Sequence, residues 1–184
     1  MKTALLVIDI QNLLVEEKPY AIAERLTLWQ DSLAQARQAG LEVIHVRHHD
    51  QELVKGTADW EIHSIVAPLA SEKIFDKTFN SPFKETGLHA YLQEKGIEQL
   101  IIMGMATNFC IDTTIKVAFE LGYKVAVIQD GTTTGYSGKL DAKDLIDHYQ
   151  NIWSWNFAQV DRLENIIRGS DERTRFSKSC GSGC

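Results

Sequence analysis

Cys110 stands where an apolar run gives way to a helical pattern. The stretch Leu100-Ile101-Ile102-Met103-Gly104-Met105-Ala106-Thr107-Asn108-Phe109-Cys110-Ile111 reads as a buried strand, a glycine-marked turn and a first helical turn. Unpaired backbone N–H groups and the positive end of the helix dipole gather at such a start, which favours a thiolate, the nucleophile of acyl transfer. Asp9, at the end of the first apolar run, can take the thiol proton, return it to a leaving amine and later activate water. Lys77, closing a short third run, can hold carboxylate and sulfur in register as an ammonium. Backbone N–H groups near Ala106 and Cys110 can receive an oxyanion, and one such donor is worth about 3 kcal/mol in the transition state. Each residue also has a bland reading: Cys110 as a packing cysteine, Asp9 as a strand-ending cap, Lys77 as a solvated lysine.

These groups are useful only if the chain gathers them. Short apolar runs predict strands over Thr3–Ile8, Leu41–Val46, Lys73–Phe75, Gln99–Met103, Tyr123–Ile128 and Phe157–Val160. Helical periodicity falls between them, within Ile22–Ala39, Gly87–Lys95, Asn108–Leu121 and Asp141–Trp155, with a last turn in Asp161–Ile167. Thr132 to Gly138 reads as a loop, and Thr107 or Asn108 as a helix cap. Alternating strands and helices predict an α/β fold, a mostly parallel sheet covered on both faces. The carboxyl edge of such a sheet is where ligands bind. Asp9, the His48-His49 region, Asp76-Lys77 and Thr107–Cys110 all follow strands, so topology brings them to that edge.

The bulk composition narrows the function. Of 184 residues, 44% are hydrophobic, which suits one globular domain, expected over 1–168. Nineteen basic against twenty-five acidic side chains speak against broad nucleic-acid or anionic-membrane binding, and leave a small molecule as the expected partner. No apolar stretch reaches bilayer length, and the run Ala4–Ile8 is too short for a secretory leader. Few cysteines point to a reducing, cytoplasmic location. Residues 169–184 are polar and carry Cys180 and Cys184; they are expected to be a disordered tail, read as an added segment. No Gly-x-Gly-x-x-Gly or Walker loop is present.

Three motifs in this order resemble the isochorismatase-like cysteine hydrolase superfamily, which includes nicotinamidases and N-carbamoylsarcosine amidase. They are Leu5-Leu6-Val7-Ile8-Asp9-Ile10-Gln11-Asn12, Lys77-Thr78-Phe79-Asn80-Ser81-Pro82-Phe83, and Gly104-Met105-Ala106-Thr107-Asn108-Phe109-Cys110-Ile111-Asp112-Thr113-Thr114. The resemblance implies a three-layer α/β/α sandwich with a six-stranded sheet and a triad of Asp9, Lys77 and Cys110. It implies a cis peptide between Met105 and Ala106 that directs the Ala106 N–H beside that of Cys110. It implies a homodimer or homotetramer, and hydrolysis of a C–N bond, amide or ureido, through a thioester. A vinyl ether hydrolase, whose chemistry needs no cysteine, and a catalytically silent binding protein are the alternatives.

The pocket is expected to draw on Trp60, Phe79, Phe83, Phe109 and Tyr136, with Gln11 and His48 as its polar members. Nicotinamidases carry an Asp-x-His metal motif after the second strand. Here that place reads His45-Val46-Arg47-His48-His49-Asp50, without the motif. Adjacent His48 and His49 on an extended chain point apart, so a metal set with Asp50 and His63 is not expected, and no cofactor is.

Overall fold

The computed structural model describes residues 1–135 and 139–169. Six strands form one parallel sheet: β1 (Thr3–Ile8), β2 (Glu42–His48), β3 (Lys73–Lys77), β4 (Gln99–Met105), β5 (Lys124–Thr133) and β6 (Gln159–Asp161), in the order β3-β2-β1-β4-β5-β6. Among the described residues these α-helices accompany them: α1 (Asn12–Glu16), α2 (Ile22–Gln38), α3 (Leu88–Glu94), α4 (Asp112–Glu120) and α5 (Ala142–Asn156). A further helical segment spans 163–169.

The period of two along each strand sorts side chains between two cores. Ala4, Leu6 and Ile8 of β1 pack with Leu92 of α3, Ile115 of α4 and Trp153 of α5. Leu5 and Val7 face the other way, against Trp29, Leu33 and Ala36 of α2 and Ile166. Three layers result, as the motifs imply.

The order reverses at β1, since β2 lies on one side of it and β4 on the other. That switch point opens a crevice at the carboxyl edge. There β1 and β4 come unusually close. Gly104 pairs with Ile8, has φ 129°, and a Cβ on it would lie 2.0 Å from the Ile8 carbonyl oxygen. Only glycine fits this position.

β5 runs longer than its apolar pattern predicts. Its register against β4 shifts between Ile102 and Gly104, which pair with Val127 and Thr132. Four residues, 128–131, thus stand opposite Met103 alone, three more than a regular ladder holds, with Asp130 at φ 59°. This is an enlarged β-bulge. The Trp29 indole of α2 donates to the Gly131 carbonyl at 2.7 Å and pins it. Beyond the bulge three threonines tie down neighbours. Thr107 donates to Thr132 at 3.0 Å, Thr133 donates to the Tyr20 carbonyl at 2.6 Å, and Thr134 donates to Asn108 at 2.7 Å. The expected cap role of Thr107 and Asn108 therefore gives way to these contacts; the turn Thr107–Ile111 that leads into α4 is capped by Ala106 without a side-chain bond.

Candidate active site

Four strand ends deliver four side chains to the crevice. Asp9 follows β1 with φ 54°, a left-handed conformation that aspartate tolerates better than most residues. Its N–H donates to the Val46 carbonyl, which locks the turn onto β2. His48 and Lys77 are register partners on β2 and β3, so their side chains leave the sheet together. Cys110 sits in the wide turn Thr107–Ile111 that follows β4. The Met105–Ala106 peptide just before it is cis.

The Lys77 ammonium is the hub. It donates to Asp9 Oδ2 at 2.7 Å and to Cys110 Sγ at 3.2 Å, and stands 3.2 Å from His48 Nδ1. Facing an ammonium, Nδ1 presents its lone pair, so the His48 proton lies on Nε2, 3.3 Å from Asp50 Oδ2. Burial and the neighbouring Lys77 hold His48 below its ordinary pKa, hence neutral. Burial alone would lower Lys77; Asp9 and Cys110 around it raise it instead, so it stays an ammonium.

Cys110 behaves differently from the sequence expectation. Burial, with the Asp9 carboxylate second, pushes its thiol up to about 12, against the opposing pull of Lys77. A helix start does not ionise this sulfur, because little water reaches it and an anion is adjacent. The resting group is a neutral thiol. Asp9, only 2% exposed, keeps Oδ1 without a hydrogen-bond partner. Ligand atoms of Asp9, His48 and Cys110 lie within 4.8 Å of one another, so an acceptor stands ready beside the thiol.

That grouping could suggest a metal site, but the lysine ammonium already contacts all three side chains and would repel a cation. His63 instead has Nδ1 accepting from the Ile65 N–H. These residues do not fit a resident metal.

A cavity of about 210 Å³ opens onto the cluster. Asp9, His48, Ala106 and Cys110 form its reactive end, and Leu13, Leu14, Pro19, Leu53, Met105 and Phe109 its apolar wall. Two of the expected pocket residues, His48 and Phe109, thus line it. Four others do not. The Gln11 amide donates to the carbonyls of His48 and Trp60 and accepts from the His48 N–H, so it clamps the end of β2 to the following loop. Trp60 is buried beneath the Arg47 guanidinium, 3.6 Å from its ring. Phe79 lies under the Lys84 ammonium at 3.7 Å, and Phe83 stacks on Tyr123 against the core. Burying a large ring on the protein's own surface competes with lining a pocket, and here it prevails. Tyr136, Cys180 and Cys184 lie outside the described residues.

Aliphatic walls escaped the sequence reading because leucines such as Leu13 and Leu14 carry no chemical mark that separates a pocket wall from core. Asn80, whose Oδ1 is 3.8 Å from Cys110 Sγ, was visible only as part of a turn.

Among the described residues, no helix is long and apolar enough to cross a membrane. Residues 3–150 match the model of the isochorismatase domain. The uncharacterized isochorismatase family protein YddQ of Bacillus subtilis (strain 168) is 35% identical over 142 residues, 73% of this chain and 79% of its own. Streptothricin hydrolase of Streptomyces noursei is 34% identical over 177 residues, 91% of this chain but 63% of its own. Among solved structures, a cysteine hydrolase from Pseudomonas syringae pv. phaseolicola 1448A superposes with a TM-score of 0.86 at 25% identity, covering 91% of each chain. With the domain match spanning β1 to β5 and the first part of α5, and a cysteine at the carboxyl edge of the sheet, the chain belongs to the isochorismatase family of cysteine hydrolases.

Proposed function

We propose that the protein hydrolyses a C–N bond, amide or ureido, of a small molecule through a thioester on Cys110, with Asp9 and Lys77 completing the triad. The carrying observation is the Lys77 ammonium, bonded at once to the Asp9 carboxylate and the Cys110 sulfur, while Asp9 Oδ1 is left open. With a thiol pushed up to about 12, attack and deprotonation must coincide. Asp9 takes the proton as the sulfur bonds to the carbonyl carbon, and the carbonyl oxygen takes up the negative charge. The backbone N–H groups of Ala106 and Cys110 receive that oxyanion in this reading. Asp9 then gives its proton to the departing nitrogen and the C–N bond breaks. Water, deprotonated by Asp9, attacks the thioester; the acid leaves, and the sulfur is reprotonated. Lys77 stabilises negative charge on Asp9 and on the sulfur at each stage. His48, fixed by Gln11 and Asp50, keeps a neutral face toward Lys77 and so positions it.

Two features support C–N cleavage by a cysteine over ether hydrolysis. The proposed nucleophile is buried with its proton acceptor, and the cavity reaches the sulfur itself. The test is ammonia or amine release across a panel of small amides, ureido acids and nicotinamide, with Cys110→Ala as the blank. Release that needs Cys110, survives a chelator, and leaves an acyl-sized mass on the quenched Cys110 peptide is the expected result. Turnover retained by Cys110→Ala overturns the reading.

A further inference from the structure

The walls of the cavity carry charge of one sign. Glu17, Asp50 and Glu52 line it, all solvent-exposed. Among the described lining residues there is no lysine or arginine. Lys77 does not compensate, since its side chain is 0% exposed and is engaged by Asp9, Cys110 and His48.

The carboxylates are not merely scattered. Asp50 Oδ1 accepts the N–H groups of Glu52 and Leu53, each at 2.9 Å, and Oδ2 faces His48 Nε2, so its position is set by the loop. Those backbone bonds, the Leu53 one foremost, hold Asp50 below the usual carboxylate range. A second feature lies deeper in the same cavity. Asp9, 2% exposed, lines the reactive end and keeps Oδ1 without a hydrogen-bond partner, although Oδ2 is paired with Lys77. Between rim and floor the wall is aliphatic, and low-dielectric walls focus the field of the acids along the cavity. Phe109, 56% exposed, adds a ring at the mouth, a surface on which a cation rests favourably.

We propose that the cavity selects a cationic substrate: a small amide or ureide whose acyl part or leaving amine bears an ammonium or guanidinium group, held by Glu17, Glu52 and Asp50. This inference rests on the C–N hydrolase reading for its chemistry, but its charge preference can be measured without turnover. A carboxylate-bearing substrate would meet three like charges and no basic partner among the described lining residues.

The probe is Cys110 itself, in a Cys180→Ser/Cys184→Ser background. Two methanethiosulfonates of similar size, one ending in trimethylammonium and one in sulfonate, are reacted at neutral pH and low salt. The cysteine sulfur attacks the thiosulfonate sulfur as its proton passes to a base, a disulfide forms and methanesulfinate leaves. The cation-to-anion rate ratio, divided by the same ratio for 2-mercaptoethanol, is expected to be about tenfold above unity. It should shrink in about 0.5 M salt. It should drop severalfold in Glu17→Gln/Glu52→Gln, where Lys77 is unchanged and only rim charge is lost. A normalised ratio at or below unity, or one indifferent to the double substitution, overturns the proposal.

Amide cleavage is followed in parallel with 4-aminobutyramide, pentanamide and succinamate. A cation preference in both readouts supports both conclusions. Cation-selective labelling with turnover that persists in Cys110→Ala leaves the present proposal standing and ends the thioester reading. Cys110-dependent cleavage at equal kcat/KM for all three amides, with a ratio of unity, does the reverse.

Discussion

At the scale of single residues, Asp9 has two duties. It raises the thiol of Cys110 by its charge, and it is the group proposed to take the thiol proton. Replacing it by asparagine separates the two, because asparagine tolerates the same left-handed backbone at φ 54°. Turnover of Asp9→Asn should fall by about a thousandfold. Alkylation of Cys110 by iodoacetamide should instead become faster, since the neighbouring anion is gone. In the unsubstituted protein the alkylation rate should climb with pH through the alkaline range without a plateau near neutrality, as a thiol at about 12 demands. A plateau near neutral pH, or slower alkylation in Asp9→Asn, would contradict this account. Asp9 and Lys77 stood out because each ends an apolar run, and Cys110 because it opens the helical pattern after the fourth run; their grouping as the proposed triad came from the family resemblance. The protonation state of Cys110 was not, since it depends on burial and on a carboxylate distant in sequence.

At the scale of elements, the site depends on how closely β1 and β4 approach. Gly104→Ala would place a methyl group 2.0 Å from the Ile8 carbonyl oxygen at a φ of 129°. Unfolding in urea should show a loss of at least about 3 kcal/mol. Activity should fall further than stability explains, because Asp9 follows Ile8 directly and Cys110 follows the same turn. Unchanged activity in a folded Gly104→Ala would mean that this contact does not set the geometry. Strand positions were readable from apolar runs, and so were four of the helices. β5 was read too short because Gln129-Asp130-Gly131 interrupts its pattern; the bulge there hides a strand that resumes at Thr132. α1 went unseen because five residues carry too little periodicity. Aromatic residues were assigned to the pocket by type. The competition between core and cavity for a large ring is decided by loop paths that a sequence does not display.

At the scale of the whole molecule, a largely buried ionic network lies away from the chemistry and is expected to contribute to acid sensitivity. Arg37 grips Glu72 with two hydrogen bonds at 2.7 and 2.8 Å, Leu69 N–H adds another, and buried His45 stands 3.0 Å from it. Burial works to raise Glu72, but Arg37 and its other donors bring it down from 4.5 to about 2. Its stabilisation is therefore complete above pH 4.5 and is lost as pH falls toward 2. His45 is lowered by burial beyond what Glu72 restores, so its neutral form stabilises the fold above pH 6.5 and that contribution fades as pH falls below it. Unfolding free energy measured against pH should decline in both windows. Glu72→Gln should cost about 3 kcal/mol at neutral pH and flatten the lower window. An acid limb with the same slope in that variant would assign acid sensitivity elsewhere.

The threonines beyond the bulge of β5 carry a geometric consequence. Thr132 and Thr134 bond to the sulfur-bearing turn, while Thr133 reaches the opposite way to Tyr20. This extended segment thus ties the Cys110 turn to the chain at Tyr20, next to the lining residues Glu17 and Pro19. In the proposed reaction, the reach asked of a substrate is therefore tied to a sheet edge rather than to a free loop.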